Sequence, residues 1–579
     1  MITLIHLSIV CALLLILYPF IRYLRDEKHL RRFPAASPLA AITPLWIMYH
    51  NLQGRRFLAV HAAHQRQGPA VRISPNHISF AAPTAYKDIY GHGSSIVKDL
   101  MYDNFAGGNP SMADTTSRAL HSAKRKNLAF VFSARQIAAM EPRIISTVET
   151  LLHAVRIKSA GGNIAPTDRF PARPQPDGTV AFDLRPWLNL FSYDAISAMF
   201  WSQPYGFLSR GDDDCLAQDA DGHVHRVHAM ETFHNGIAFA VVLGHLPPFF
   251  YRLIKNRLLV RTWGNQCATN FTGMARWLVS QRLKAPPAEP DLFSNLPVEP
   301  TEKRPDPMGF DEMVAECTTM LNAGNDTTQT SLTNAMHDLA AHPAQQRKLR
   351  GLLREAIAAH ASSTSPDAPS PPSPIASYNA ILQHVPYLRA CLDESFRLHP
   401  PVGIGLPRRT VAPTHIAGHL VPAGVTVSAP TFTLHRNETL FHDADAWVPE
   451  RWLEGALVGA SSADCDSASE RSASPSHDEK DTEKDSDSER ANLASFVFPF
   501  SLGGRACIGR NLAYMELSIV VAALVSAFEW ELAGGKGDEK ERDVEEEGGG
   551  LRHFERFNSN PVELVVRARP VEVEVGEKA

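Results

Sequence analysis

The sequence predicts a mainly α-helical chain with small β-sheets, an α+β class in which helix dominates. Three observations carry that expectation. From about 110 to 355 the apolar residues recur at a spacing near 3.6, with few strand runs. Strand signals are confined to patches at 70–81, 412–430 and 563–574. Strand and helix patterns do not alternate along the chain, which argues against a parallel, doubly wound sheet.

The elements follow in chain order. Residues 2–21, ITLIHLSIVCALLLILYPFI, carry no charged side chain. A helix of about 20 residues at ~1.5 Å each spans a ~30 Å hydrocarbon core, so this run predicts a transmembrane anchor over 1–21. Arg22, Arg25, Lys28, Arg31 and Arg32 follow at once and place the remainder on the cytosolic side. A cleaved signal peptide is the competing reading, but the basic stretch that normally precedes its apolar run is missing. Next, RRFPAASPLAAITP (31–44) sets three prolines among small residues and reads as a stiff, non-helical link. The basic, proline-bearing linker is therefore drawn at 22–45 and the catalytic domain at 46–579. AVRISPNHISFA (70–81) alternates apolar and polar residues around Pro75-Asn76, a hairpin.

Three further segments read as surface insertions. Residues 361–374 are rich in proline and serine, and 535–550 are glycine-rich and acidic. Residues 461–490 hold ten Asp/Glu against four Lys/Arg, with nine serines and no aromatic. Such compositions bury too little apolar surface to offset chain entropy, so disorder is expected; an acidic docking segment is the alternative for 461–490.

Composition excludes several classes. A net charge of -5 over 579 residues gives no sign of a nucleic-acid binder. The 7 cysteines are odd in number and contain no CxxC pair, which argues against a disulfide framework and a structural zinc site. A metal held by one cysteine remains open.

FPFSLGGRACIGRNLAYMEL (498–517) points to that cysteine. Phe500, Gly503, Arg505, Cys507 and Gly509 satisfy F-x-x-G-x-R-x-C-x-G. Gly503 and Gly504 permit positive φ and close approach of the backbone to a flat ligand. Arg505 can neutralise a carboxylate at that ligand's edge. Cys507 precedes a helix starting near Gly509, whose N–H groups and dipole favour a thiolate. The bland alternative is a buried free cysteine beside a turn.

This loop resembles the haem-binding signature of the cytochrome P450 family, and the resemblance runs in order over nearly the whole chain after the anchor. It implies the P450 fold with one N-terminal transmembrane helix, and haem b with Cys507 as the axial ligand of its iron. LNAGNDTTQTSL (321–332) resembles the family's oxygen-activation helix, A/G-G-x-D/E-T-T. Glycine costs about 1 kcal/mol in a helix, and Thr327 can bond back to the Ala323 carbonyl, so the patch is locally weak. Asp326 and Thr327 then read as the acid–alcohol pair that delivers protons during oxygen activation. A helix with a packing glycine is the alternative.

Glu394 and Arg397 of DESFRLHPP lie on one helical face at i, i+3, and PERW supplies Arg451 about fifty residues on. By resemblance these form the family's buried Glu–Arg–Arg network behind the haem loop; a surface ion pair is the alternative. The resemblance also assigns cationic contacts to the haem propionates. His121 and Arg125 come from LHSAKRK, where His121 stands in place of the family's tryptophan; Arg408 comes from GLPRRT and His435 from LHRN.

Among P450s the stretches YGHGSSIVKDLMYDNF, H-x-x-x-RK, GLPR, PERW and ACIGRN-x-A-x-ME are most similar to fungal benzoate 4-monooxygenase-type enzymes. The resemblance implies insertion of one oxygen atom of O2 into a small, lipophilic, aromatic or secondary-metabolite substrate, with benzoate para-hydroxylation as the specific guess. The chain lacks a G-x-G-x-x-G dinucleotide fingerprint, so electrons from NADPH would arrive through a separate membrane-bound P450 reductase of the endoplasmic reticulum, docking near Arg510. The alternatives are a P450-fold isomerase or dehydratase working without O2, and a non-catalytic haem sensor. An intact acid–threonine motif argues against both.

Overall fold

The computed structural model describes residues 17–105, 109–246, 248–254, 262–299, 307–363, 375–453, 493–533 and 551–571. Most of the expected anchor, the insertions at 461–490 and 535–550, and 364–374 lie outside the described residues. Residues 17–25, at the end of the apolar run, are helical. Among the described residues the helix long and apolar enough to cross a membrane is Arg510–Ala527, and it is packed inside the protein core.

The molecule is built around Phe310–Ala341, a helix whose second half is buried on nearly every side. Leu184–Trp201 lies along it, apolar around most of its circumference and capped by Asp183, whose side chain accepts from the Arg185 N–H. Trp263–Lys284 and Arg510–Ala527 complete the packing around this axis. Gly324 belongs to that contact: a Cβ there would press on the Ile196 side chain, so it acts as a packing glycine on the central helix.

The strands form small sheets beside the helical core, as expected. A 5-stranded sheet runs Ala70–Ser74, His77–Phe80, Thr426–Ser428, Arg408–Arg409 and Val97–Lys98. The first pair is the predicted hairpin around Pro75-Asn76, in register Val71 to Ser79. A 4-stranded sheet joins Phe528–Leu532, Val565–Pro570, Val180–Asp183 and Arg173–Pro174. Together with the helices these elements give a mainly α fold with small sheets.

Two stretches differ from expectation. Inside the span read as helical, Asp214–Gln218 and Val224–His228 pair as an antiparallel hairpin. Its turn carries Asp221-Gly222, with Gly222 at φ 91, a local signal overridden by the helical patterns around it. The proline-bearing 31–44 stretch is not simply a stiff link either. It contains the helix Pro38–Ile42, with Pro38 in the first turn, where its missing N–H is no loss, and Ser37 accepting from the Leu39 N–H. Leu30 and Phe33 are buried in the core beside the 5-stranded sheet, and Lys28 reaches Asn76 and the Gly424 carbonyl at 2.8 and 2.7 Å.

Candidate active site

The cysteine loop is shaped by one glycine. Gly503 has φ 70, and a Cβ there would overlap the Tyr90 carbonyl oxygen. Gly504 does not share the positive φ expected of it and faces open space. The Cys507 N–H donates to the Phe500 carbonyl at 2.9 Å, closing the loop before Gly509 caps the helix Arg510–Ala527. Phe500 packs edge-on to Phe396 and against Tyr514.

Cys507 is exposed, and it lines a cavity of about 490 Å³. Protein surrounding the thiol pushes it above its ordinary value, against the Gly509 N–H and the charges of Arg125 and Arg510, which lower it. A bound metal cation would reverse the balance, since a coordinating thiol is deprotonated outright.

The same cavity is lined by Lys98, His121, Arg125, Arg408 and Arg505. His121 and Arg125 are one turn apart on Arg118–Leu128, a helix capped by Ser117. Arg125 donates to the Ala506 carbonyl at 2.7 Å and Arg505 to the Thr115 carbonyl at 3.0 Å. Lys98 and Arg408 are direct partners in the antiparallel ladder, and both are buried. Like charges directly opposite one another destabilise a strand pair. Burial and its cationic neighbours push His121 down to about 4, and burial and Arg408 push Arg505 down to about 10. Arg505 Nη2 is buried without an acceptor, and Asp114 is the acid that offsets Lys98. This edge is short of negative charge. Its chemistry fits the two carboxylates of a haem, and Cys507 in the same lining could offer the iron a sulfur ligand.

On the central helix, Thr327 lines the cavity and its hydroxyl donates to the Ala323 carbonyl at 2.7 Å, the back-bond expected from its position. Asp326 is buried and is not among the lining residues. Its carboxylate accepts from Asn558 Nδ2 at 2.6 Å and Asn560 Nδ2 at 2.8 Å, and lies 3.4 Å from His234 Nε2. Burial raises its pKa, but His234, the Asn558 amide and Arg556 outweigh that and hold it below the usual carboxylate value.

Glu394, Arg397 and Arg451 come together. Glu394 accepts from Arg397 Nε and Nη2 at 2.9 Å each, from Arg451 Nε at 2.9 Å and from Trp452 Nε1 at 3.0 Å. Arg397 and Glu394 are fully buried, and Arg397 donates onward to the carbonyls of His435, Ala444 and Ala446. His435 stands apart from the cavity and from the propionate role expected of it. Its Nε2 accepts from the Phe498 N–H at 3.0 Å, which fixes a neutral ring, and burial and Arg397 push its pKa down to about 3. It links the buried ion network to the start of the cysteine loop.

Sequence reasoning did not single out Lys98, Glu516 or Asn558 as lining residues. Lys98 lies in a stretch quoted only for likeness, and its importance comes from its pairing with Arg408, which no local pattern announces. Glu516 is buried, with Oε1 unpartnered, and burial raises it to about 8. Its position two turns into an apolar helix was the available signal.

A cavity that gathers a cysteine and a row of basic side chains suits a haem held through sulfur. The cytochrome P450 family model matches residues 40–552, and the chain belongs to that family. It is a haem-dependent monooxygenase, an oxidoreductase that uses O2. Benzoate 4-monooxygenase bphA of Aspergillus niger is 30% identical over 530 residues, covering 90% of this chain and 91% of that protein. Cytochrome P450 monooxygenase btcC of Neocamarosporium betae is 27% identical over 86% of each chain. The trichothecene C-15 hydroxylase of Fusarium sporotrichioides is 27% identical over 87% of this chain and 88% of its own.

Proposed function

We propose that this monooxygenase hydroxylates a flat aromatic or secondary-metabolite substrate, with the para position of benzoate as the first specific candidate. The observation that carries the reading is the convergence of Cys507, the cationic edge and Thr327 on one cavity. The name of the A. niger relative supports benzoate. Much of the lining away from the cationic edge is apolar, including Phe105, Phe233, Ile237, Phe271, Met320 and Val402. Among the polar lining groups, Asn322, Thr318 and Thr319 are neutral. A buried carboxylate wants a cation or several donors, so a neutral aromatic substrate is kept beside benzoate.

Haem bound through Cys507 supplies the activation of O2 and its transfer to substrate. In this reading Lys98, His121, Arg125, Arg408 and Arg505 orient the group by its carboxylates, and Phe500, Gly503 and Gly509 leave room for it. In the same reading Thr327 keeps its own proton on the Ala323 carbonyl and offers Oγ1 to the cavity as an acceptor, while Asp326, ionised at rest, takes up a proton and passes it on. Glu394, Arg397 and Arg451 brace the loop. Electrons come from NADPH through a separate reductase.

The chain is further proposed to be held on the endoplasmic reticulum membrane by an anchor over 1–21, with the catalytic domain on the cytosolic side. Exposed apolar side chains on two adjoining segments support this: Leu45, Tyr49 and Leu52 on one, Phe249, Leu253 and Trp263 on the other. The segments meet where Asn51 Nδ2 and His245 Nε2 lie 2.7 Å apart.

The test is spectroscopic. Reduced protein under carbon monoxide is expected to give the red-shifted Soret band of a sulfur-ligated haem, and Cys507→Ser to lose it. Spin-state titration with benzoic acids against larger neutral aromatics then separates the two substrate readings, and silence toward every benzoate removes the specific candidate.

A further inference from the structure

The 5-stranded sheet ends on a strand of two residues, Val97–Lys98, paired antiparallel with Arg408–Arg409. An edge strand of that length has few ladder bonds and belongs to the parts of a fold that open most easily. Its register sets Lys98 directly opposite Arg408. Residues opposite one another share a face of the sheet, and both side chains are buried and line the cavity that Cys507 also lines.

Among the described residues the partners of these two cations are neutral. Lys98 Nζ donates to the Ala113 carbonyl and lies 4.3 Å from the centre of the Tyr102 ring. Arg408 Nη1 donates to the carbonyl of its own neighbour Pro407 at 3.1 Å, with the guanidinium 5.1 Å from the Tyr90 ring. Asp114 is the acid that offsets Lys98, but its Oδ2 accepts from the Ser111 hydroxyl at 2.7 Å. Burial, Arg408 and Arg505 together push Lys98 well below its ordinary value. Like charges opposite one another weaken a strand pair, and burial removes the water that would screen them. A ligand carrying two carboxylates reverses the sign of that contribution.

We propose that the edge strand Val97–Lys98 is a cofactor-dependent element: the two carboxylates of haem supply the counter-charge that lets Lys98 lie against Arg408, so the strand and the cavity wall that follows it set as haem loads. That wall runs from Asp99, whose side chain caps Leu100–Asn104, to Phe105, and Tyr102, Asn104 and Phe105 line the cavity. Haem retention and the shape of the substrate cavity are then linked through one strand pair, and whatever favours the paired strand favours haem by the same factor. The inference deepens the function given above and rests on reading the cavity as a haem site.

The full chain is compared haem-free and haem-loaded by hydrogen exchange. In wild type, peptides covering 96–105 are expected to exchange about tenfold more slowly once haem is bound. Lys98→Met keeps the length of the side chain and removes its charge. Haem-free, this variant is expected to protect 96–105 about tenfold better than haem-free wild type and to melt at higher urea. Haem-loaded, it is expected to surrender haem to apomyoglobin about tenfold faster than wild type. A lysine with only a structural role would move both forms in the same direction. Lys98→Arg restores the charge and is expected to keep the haem dependence of wild type; an Arg variant that behaves like the Met variant overturns the proposal. So does a haem-free Lys98→Met that fails to fold or is no better protected than wild type, or a loaded one that holds haem as long. The carbon monoxide spectrum separates the two readings. A wild type with the red-shifted band but no haem-dependent protection at 96–105 sinks this inference alone, whereas absence of the band sinks the haem-thiolate reading and this one with it.

Discussion

Thr327 and Glu516 are two cavity-lining residues whose protons should be visible in opposite kinds of experiment. Thr327→Ala removes a hydroxyl from the cavity without touching the haem ligand or the cationic edge. It is expected to keep haem and substrate binding while peroxide release rises severalfold; unchanged coupling would count against the relay. Glu516 speaks through stability. Its folded pKa is raised from 4.5 to about 8 by burial. Between those values the native state holds a proton that the unfolded chain has released, so stability falls as pH rises from about 4.5 toward 8. E516Q has no such proton to lose. It should match wild type near pH 5 and exceed it by on the order of 2–4 kcal/mol near pH 8.5, read from urea melts at each pH. At this scale the sequence was legible where a motif is short and contiguous, as for Cys507, Arg505 and Thr327. It was silent where a side chain matters through a distant neighbour. Lys98 needs Arg408, Asn558 needs Asp326, and His435 turned out to serve Phe498 rather than a propionate.

Elements show the same division. The helix carrying Glu394 and Arg397 could be drawn from spacing, and so could PERW, because both are local patterns. What spacing could not give is the number of bonds one carboxylate would collect. Glu394 also accepts from the Val448 N–H at 2.9 Å, so both of its oxygens are saturated. Glu394→Gln would set an amide N–H against an arginine donor and leave buried charge uncompensated. The expected cost is about 3–5 kcal/mol, seen as a lower urea midpoint together with poor haem retention. The hairpin at 214–228 and the helix Pro38–Ile42 were missed for different reasons. In the first, a short strand pair lay inside a long helical trend, and its Asp-Gly turn was outvoted by the window around it. In the second, proline was read as a breaker when its place in the first turn makes it a starter.

For the molecule as a whole, the apolar N-terminal run and the exposed apolar residues at 45–52 and 249–263 bear on the same question. If the run alone tethers the chain, a version lacking residues 1–21 should be wholly soluble after low-salt extraction. The second apolar surface argues otherwise: the truncated chain is expected to float with lipid vesicles in part, and to be released further by Leu45→Ser together with Phe249→Ser. Complete solubility of the truncated chain would remove that surface from the account. The overall class, helical with small sheets, was readable because periodicity is a property of long windows. Sheet order was not, since Thr426–Ser428 pairs in parallel with a strand more than three hundred residues earlier.

The bracing around Glu394 has one more implication. Trp452 and Arg451 are fastened to that carboxylate just before residue 454, and Phe498 is fastened to His435 shortly after residue 492. The described residues on both sides of the intervening stretch are thus moored to one buried network. The hold of these two ends on the catalytic centre therefore rests on their own hydrogen bonds and not on the length of chain that joins them.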